Sequence, residues 1–112
     1  MSTTFSATTF ASGVLLNGPY SLAFDKNGNL FCANNIGSTI LKITPHLGVS
    51  IFASSGINRP SGLAVDKNGN LFCTNYANDN IVKITPSGSL STFASITRPA
   101  GLAFDKNGNL FC

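Results

Sequence analysis

Short apolar segments alternate with polar turns along most of the chain, and the middle of the chain shows the pattern best. There "GLAVD" (62–66), "LFCTNY" (71–76), "IVKIT" (81–85) and "LSTFAS" (90–95) are separated by "KNGN", "ANDN" and "PSGS". Segments of this length, rich in β-branched and aromatic residues, predict strands, and Asn-Gly is a strong signal for a tight hairpin. Because no segment keeps a helical period, the pattern predicts an all-β chain of short antiparallel strands.

The predicted strands are apolar on both sides. In "NLFCA" (29–33), Leu30 and Cys32 fall on one face of the strand, and Phe31 and Ala33 fall on the other, because side chains alternate along a strand. An antiparallel sheet with one face in water would show apolar and polar residues in alternation. We therefore expect each sheet to be stacked between two neighbouring sheets.

The eight residues "DKNGNLFC" occur three times, at intervals of 41 and 39 residues, and the third copy ends the sequence. Four strands in a repeat of this length are typical of one blade of a β-propeller. The strand register predicts an N-terminal strand, two full blades and two strands of an incomplete blade. In chain order these units are 1–20 with its strand at 8–12, 21–54, 62–95 and 101–112.

The middle unit, "RPSGLAVDKNGNLFCTNYANDNIVKIT" (59–85), resembles an NHL repeat. That family's pattern runs from Pro-x-Gly-hydrophobic through Asp-x-x-Gly-x-hydrophobic to an Asn-rich loop before the third strand. The matching positions here are Pro60, Gly62, Asp66, Gly69, Leu71, Asn75, Asn78 and Ile81. The Asp-x-x-Gly part recurs in all three units as Asp25 and Gly28, Asp66 and Gly69, and Asp105 and Gly108.

The resemblance covers nearly the whole chain from residue 8, and it departs from the family at three positions of the middle unit. Family blades usually carry Val and Asp where this chain has Cys73 and Asn75, and they often carry Arg where it has Asn80. The resemblance implies a closed ring, usually of six blades, whereas this sequence predicts only eleven strands. We therefore expect the chain's partner to be itself, with two chains closing a six-bladed homodimeric ring.

Composition narrows the function classes. Seven Lys and Arg against four Asp give a net charge of +3, and the charges are scattered singly, so nucleic-acid binding is not expected. No apolar stretch approaches the length of about eighteen residues that a membrane span needs. The start of the sequence does not look like a secretory signal. Cysteines at one equivalent position per unit, Cys32, Cys73 and Cys112, favour reduced and buried thiols and a cytoplasmic location, with the last of them as a possible exception.

The "DKNGN" turn resembles the first half of a calcium loop. Glycine is fourth instead of sixth, however, and no Glu follows at the twelfth place, so we expect a hairpin turn in which Asp accepts local backbone hydrogen bonds. Calcium-dependent lactonases are related six-bladed propellers whose sites use a Glu, which this chain lacks entirely. His46 is the only histidine and lies in a predicted turn. No catalytic residue, metal or cofactor is therefore assigned, and we expect no enzyme activity.

Two sets of predicted loops should meet on one face of a propeller. One set precedes the innermost strands and the other follows the second strands. Together they carry the candidate ligand-binding residues Arg59, Arg98, Asn34, Asn35, Asn75, Tyr76, Asn78, Asp79 and Asn80. The alternative is that these Asn and Gly residues only satisfy tight turns.

The function expected from the sequence is a non-enzymatic NHL-like module that assembles into a ring and acts as a binding or structural scaffold. Near-identical repeats also fit a recently amplified or engineered fragment. The alternatives are a lectin-like carbohydrate binder, a degenerate lactonase-type propeller and an RNA-binding propeller. A protein or a glycan is the expected ligand.

Overall fold

The computed structural model describes residues 16–46 and 48–112, and these residues form an all-β fold, as predicted. The first sheet, here called blade one, is antiparallel, with its four strands side by side in chain order. They are β1 (Pro19–Phe24), β2 (Leu30–Asn34), β3 (Thr39–Ile43) and β4 (Val49–Ala53). The predicted strand at 8–12 lies outside the described residues.

The second sheet, blade two, repeats this arrangement, and a two-stranded hairpin follows it. The strands of blade two are β5 (Pro60–Val65), β6 (Leu71–Asn75), β7 (Asn80–Ile84) and β8 (Leu90–Ser95). The terminal hairpin consists of β9 (Ala103–Phe104) and β10 (Leu110–Phe111). Antiparallel four-stranded sheets confirm the predicted blade type, whereas closure into a ring stays a prediction.

The recurrent Asp-x-x-Gly sequence builds the turn between the first two strands of each unit. In blade two, Asp66 Oδ1 accepts hydrogen bonds from the backbone N–H groups of Asn68 (2.9 Å) and Asn70 (2.8 Å), and Oδ2 accepts one from Asn70 Nδ2 (3.0 Å). Gly69 has a φ of +85°, a conformation that glycine adopts without steric cost. The carboxylate therefore has a structural role in ordering the turn.

Three of the four strands predicted in the middle unit run one residue too far, since β5, β6 and β7 end at Val65, Asn75 and Ile84. The segment expected at 71–76 leaves the sheet after Asn75, and Tyr76–Asn78 forms a short 3-10 turn. Asp79 then reverses the chain with a φ of +52°. The apolar ring of Tyr76 extends the hydrophobic pattern past the end of the strand, which is why the pattern alone misplaced the boundary.

Blade one packs on blade two through an apolar joint. Phe31 and Ala33 from β2 belong to the same buried cluster as Leu63, Leu71 and Cys73 from blade two. One side of β2 is therefore covered by blade two. The innermost strands β1, β5 and β9 lie in sequence beside one another, so the units form an arc.

Blade two meets the terminal hairpin through an aromatic pair and a hydroxyl. The ring of Phe72 lies edge to face on Phe104, with ring centroids 5.3 Å apart. Thr74 Oγ1 donates a hydrogen bond to the Ala100 carbonyl oxygen (2.6 Å) and accepts one from the Gly62 N–H (2.6 Å). A Cβ on Gly62 would collide with that same carbonyl oxygen. Glycine therefore permits the close approach of the two innermost strands.

The two ends of the arc expose apolar side chains that are buried inside it. Leu22 is 61% exposed, whereas Leu63, at the same repeat position in blade two, is 5% exposed. At the other end Phe111 is 60% exposed, whereas its counterpart Phe72 is 5% exposed. Within residues 16–46 and 48–112, no helix has the length and apolarity that crossing a bilayer requires.

Candidate binding face

The loops predicted to share one face do meet there. One set is the inter-blade loops, which precede β1, β5 and β9. The other set is the β2–β3 loop (35–38) and the β6–β7 loop (76–79). Backbone hydrogen bonds join the two sets, from the Tyr76 N–H to the Arg59 carbonyl (3.2 Å) and from the Asn35 N–H to the Gly18 carbonyl (2.9 Å). The two sets of loops together are called the loop face below.

Two of the predicted ligand-binding residues lie beneath this face. Asn34 and Asn75 are fully buried. Asn75 Oδ1 accepts a hydrogen bond from the Asn58 N–H (3.1 Å), and its Nδ2 donates to the Gly56 carbonyl (2.8 Å). Asn34 Oδ1 accepts from the Asn17 N–H in the same way (3.1 Å). Their amides fix the inter-blade loop to the second strand, and the expectation that these two residues contact a ligand stays a prediction.

The tips of the β2–β3 and β6–β7 loops each accept a hydrogen bond from the inter-blade loop that follows. Asp79 Oδ1 accepts from the Arg98 N–H (2.9 Å), and Ser38 Oγ accepts from the Arg59 N–H (3.3 Å). All four residues have positive φ, between 47° and 53°, which non-glycine residues seldom adopt. The side chains of Ser38 and Asp79 therefore hold successive units together, and we call these two contacts the loop latches.

The exposed part of the loop face carries two guanidinium groups and several amides, together with the exposed apolar side chain of Ile36. Arg59 Nη1 donates to Asn35 Oδ1 (3.3 Å), and Asn35 Nδ2 donates to the Pro60 carbonyl (3.2 Å). Arg98 is exposed in the next inter-blade loop. The two arginines precede blade two and the terminal hairpin, whereas Gly18 lies at the same repeat position before blade one.

Tyr76 and Asn78 complete the exposed residues of the β6–β7 loop. Tyr76 is 44% exposed, and Asn78 Oδ1 accepts a hydrogen bond from Asn58 Nδ2 (3.0 Å). Asn80 behaves differently, because its Oδ1 is buried and has no hydrogen-bond partner among the described residues. At the same position in blade one, Thr39 Oγ1 accepts a hydrogen bond from Asn34 Nδ2 (3.0 Å).

Residues 16–46 and 48–112 contain no cluster of three or more His, Cys, Asp or Glu side chains that could hold a metal ion. His46 lies exposed in the β3–β4 turn. Burial raises the pKa of the Cys73 thiol to about 12 and also raises the pKa of Cys32. Both thiols are buried, as predicted, and Cys112 is exposed.

The Asp residues of the hairpin turns are held in their charged form. Burial acts to raise the pKa of Asp66, but hydrogen bonds from Asn70 and Asn68 and the charge of Lys83 outweigh it, so the pKa lies below its ordinary value. The carboxylate oxygens of Asp66 thus accept hydrogen bonds from the turn itself, and the same three hydrogen bonds recur at Asp25. These groups serve the hairpins and lie outside the loop face.

Sequence reasoning missed the loop latches and the Thr74 hydroxyl. The available signal was the repeat itself, since Ser38 and Asp79 occupy one repeat position, and so do Gly18, Arg59 and Arg98. It also missed the inner groove of the arc. That groove lies between the innermost strands and is lined by Tyr20, Ser21, Ser61, Gly62, Ala100 and Gly101.

Comparison with solved structures supports a β-propeller-like fold. A streptogramin B lyase superposes with a TM-score of 0.78 at 17% identity, over 90% of this chain and 35% of the lyase. A virginiamycin B lyase from Staphylococcus aureus gives 0.72 at 18% identity, over 82% of this chain and 33% of the lyase. Hydrazine synthase of Kuenenia stuttgartiensis gives 0.72 at 19% identity, over 94% of this chain and 31% of its own.

These similarities show the fold and do not extend to activity. The chain spans about a third of the length of the solved structures it matches. No family model matches the chain, and a comparison with curated proteins finds no significant match.

Proposed function

We propose that this chain is an NHL-like propeller module that acts by assembly and binding and not by catalysis. The NHL assignment rests on the Asp-x-x-Gly turns and on the Pro-x-Gly start of β5. The non-catalytic assignment is supported by the carboxylates, because Asp66 serves a turn and Asp79 serves a loop latch. Because the chain is similar in fold to lyases, its enzyme activity should be assayed directly.

The observation that carries the proposal is the pair of exposed apolar faces at the ends of the arc. Leu22 and Phe24 are exposed on blade one, and Phe111 is exposed on the terminal hairpin. Burial of apolar surface contributes roughly 25 cal/mol per Å², and large exposed apolar faces usually mark interaction sites. Contact between the two ends of different copies buries both faces.

In a closed ring of two copies, the exposed end faces of both chains are buried, and both joints make the same head-to-tail contact. A head-to-tail contact closes a ring when its rotation allows and otherwise continues as a filament. Because the arc already turns from unit to unit, we propose closure as a homodimer with six blades. The loop faces of both copies then form one continuous polar surface, suited to a protein or glycan ligand.

The solution mass of the 112-residue chain tests the proposal. Light scattering coupled to size exclusion should return twice the chain mass of 11.7 kDa, and a higher closed oligomer would retain self-assembly with another blade count. A folded monomer at micromolar concentration would overturn it. Release of product from a streptogramin-type substrate by the assembled protein would overturn the non-catalytic part alone.

A second candidate function, glycan binding, is favoured by the exposed Tyr76 ring beside the amides of Asn78 and Asn58. Sugars present apolar faces that stack on aromatic rings and hydroxyls that bond to amides. A glycan array with the wild-type protein and with Tyr76→Ala tests it. Binding that disappears with the ring supports a lectin-like role, and an array without signal rejects it.

A further inference from the structure

The repeat places aromatic residues at two matching positions, one on each side of a blade. Phe24, Val65 and Phe104 occupy one position, on the side that faces the preceding unit. Phe31, Phe72 and Phe111 occupy the other, on the side that faces the following unit. At the joint between blade two and the terminal hairpin these positions meet, as the edge-to-face pair of Phe72 and Phe104.

The same two positions contribute to the apolar packing at the first joint. Phe31 lies in the buried cluster between blades one and two, and Val65 packs against that cluster. Both repeat positions therefore contribute to the apolar packing at both joints in the described residues. The same two repeat positions thus lie wherever one unit stacks on the next in the described residues.

Within residues 16–46 and 48–112, one member of each position has no aromatic partner in a neighbouring unit. Phe24 is 63% exposed on blade one, and Phe111 is 60% exposed on the terminal hairpin. Building on the assembly proposed above, we infer that Phe111 of one copy packs edge to face on Phe24 of a second copy. The terminal hairpin of one copy then packs on blade one of the second copy, in the same way as it packs on blade two within its own chain.

The neighbouring side chains fit this register. Leu22 takes the place of Leu63, which is buried in the first joint. Ala103 is exposed and takes the place of Ala64, which is buried in blade two. Its small side chain permits the same close approach. The occupant is a second copy because each face matches the opposite end of the chain, and neither face matches itself.

Substitution of the pair tests the register. We expect Phe24→Ala and Phe111→Ala each to raise the dissociation constant of the dimer by at least about tenfold, because each removes an aromatic pair and its buried area. The double variant should be hardly worse than either single variant, because all three lose the same contact. Ile36→Ala removes an exposed apolar side chain from the loop face and serves as the matched control.

Mixing the two single variants gives a sharper result. In a mixed dimer, one joint keeps an intact Phe111–Phe24 pair and the other loses both rings, whereas each single-variant dimer has two half-broken joints. We therefore expect heterodimers in clear excess over the statistical half. Circular dichroism should match the wild type, because both rings are exposed within the chain.

A cross-link reports the contact without loss of side chains. A photoreactive benzoylphenylalanine at position 24 should cross-link to the peptide that carries residues 109–112 of another copy. Monomeric wild-type protein would overturn the proposed assembly. An assembled wild type with cross-links elsewhere, or with independent effects of the two substitutions, would leave the assembly in place and overturn this register.

Discussion

Buried side-chain amides determine how the inter-blade loops sit on the blades. Asn75 makes one hydrogen bond to the Asn58 N–H and one to the Gly56 carbonyl, and it is fully buried. A single side chain thus satisfies a donor and an acceptor of the loop at once. The loop face is therefore held in shape by a residue that is itself buried beneath it.

Asn75→Ala should lower the free energy of unfolding by about 1–3 kcal/mol, because two part-buried hydrogen bonds are lost, each worth about 0.5–1.5 kcal/mol. Urea unfolding followed by circular dichroism measures it. Asn75→Asp is the companion variant: it keeps the acceptor for Asn58 but sets a buried carboxylate oxygen against the Gly56 carbonyl, so at neutral pH it should be at least as unstable as alanine. An alanine variant as stable as wild type would show that the loop is held by other contacts.

The cysteines should react with a thiol reagent at rates that follow their burial. Since burial raises the pKa of Cys73 to about 12, almost none of this thiol is ionised at pH 8, and the thiolate is the reactive form. Titration with Ellman's reagent should therefore be rapid at exposed Cys112 and slow at Cys73 until the chain unfolds. Peptide mapping of the labelled sites identifies them, and fast native labelling of Cys73 would contradict its burial.

The hairpin carboxylates should make the fold sensitive to acid. Asp25, Asp66 and Asp105 all have a pKa lowered below the ordinary 3.8. A lowered folded-state pKa contributes stability above the unfolded-state value and loses it as the pH falls through the folded-state value. The melting temperature should therefore fall below pH 3.8. Asp66→Asn should melt lower at neutral pH and lose less on acidification, and an equal acid loss would contradict the assignment.

At the scale of the element, the hydroxyl of Thr74 holds the terminal hairpin to blade two. It bonds both to Ala100, ahead of β9, and to Gly62 in β5. Blade one has Ala33 at this repeat position, so the joint between blades one and two forms without an equivalent hydroxyl. The hairpin has only two strands, and a joint with less apolar area depends more on each polar contact.

Thr74→Val should loosen the hairpin selectively, because it retains the shape of the side chain and removes both hydrogen bonds. Hydrogen exchange read by mass spectrometry should show at least about tenfold faster exchange over residues 100–112. Blade one should exchange as in wild type. Thr74→Ser keeps the hydroxyl and should leave the hairpin protected; equal exchange in the valine and serine variants would contradict the role of the hydroxyl.

The strands could be predicted because their signals are local. Alternation of apolar residues and the Asn-Gly turns lie within a few residues of each strand, and four-stranded antiparallel sheets followed from them. The loop latches and the burial of Asn34 could not, since they depend on how one unit lies against the next. Asn occurs in turns, on surfaces and beneath loops, so the presence of an Asn in the sequence does not predict which of these places it occupies.

At the scale of the whole molecule, self-assembly should appear in the stability as well as in the mass. If the exposed faces of blade one and the terminal hairpin are buried only between copies, folding and association are coupled, and mass action then raises the melting temperature with chain concentration. Calorimetry or circular dichroism over a hundredfold range of concentration should show a rise of several degrees. Phe111→Ala should flatten this dependence, whereas Ile36→Ala should keep it. A wild-type melting temperature independent of concentration, with reversible unfolding, would mean that the arc is stable with its end faces in water.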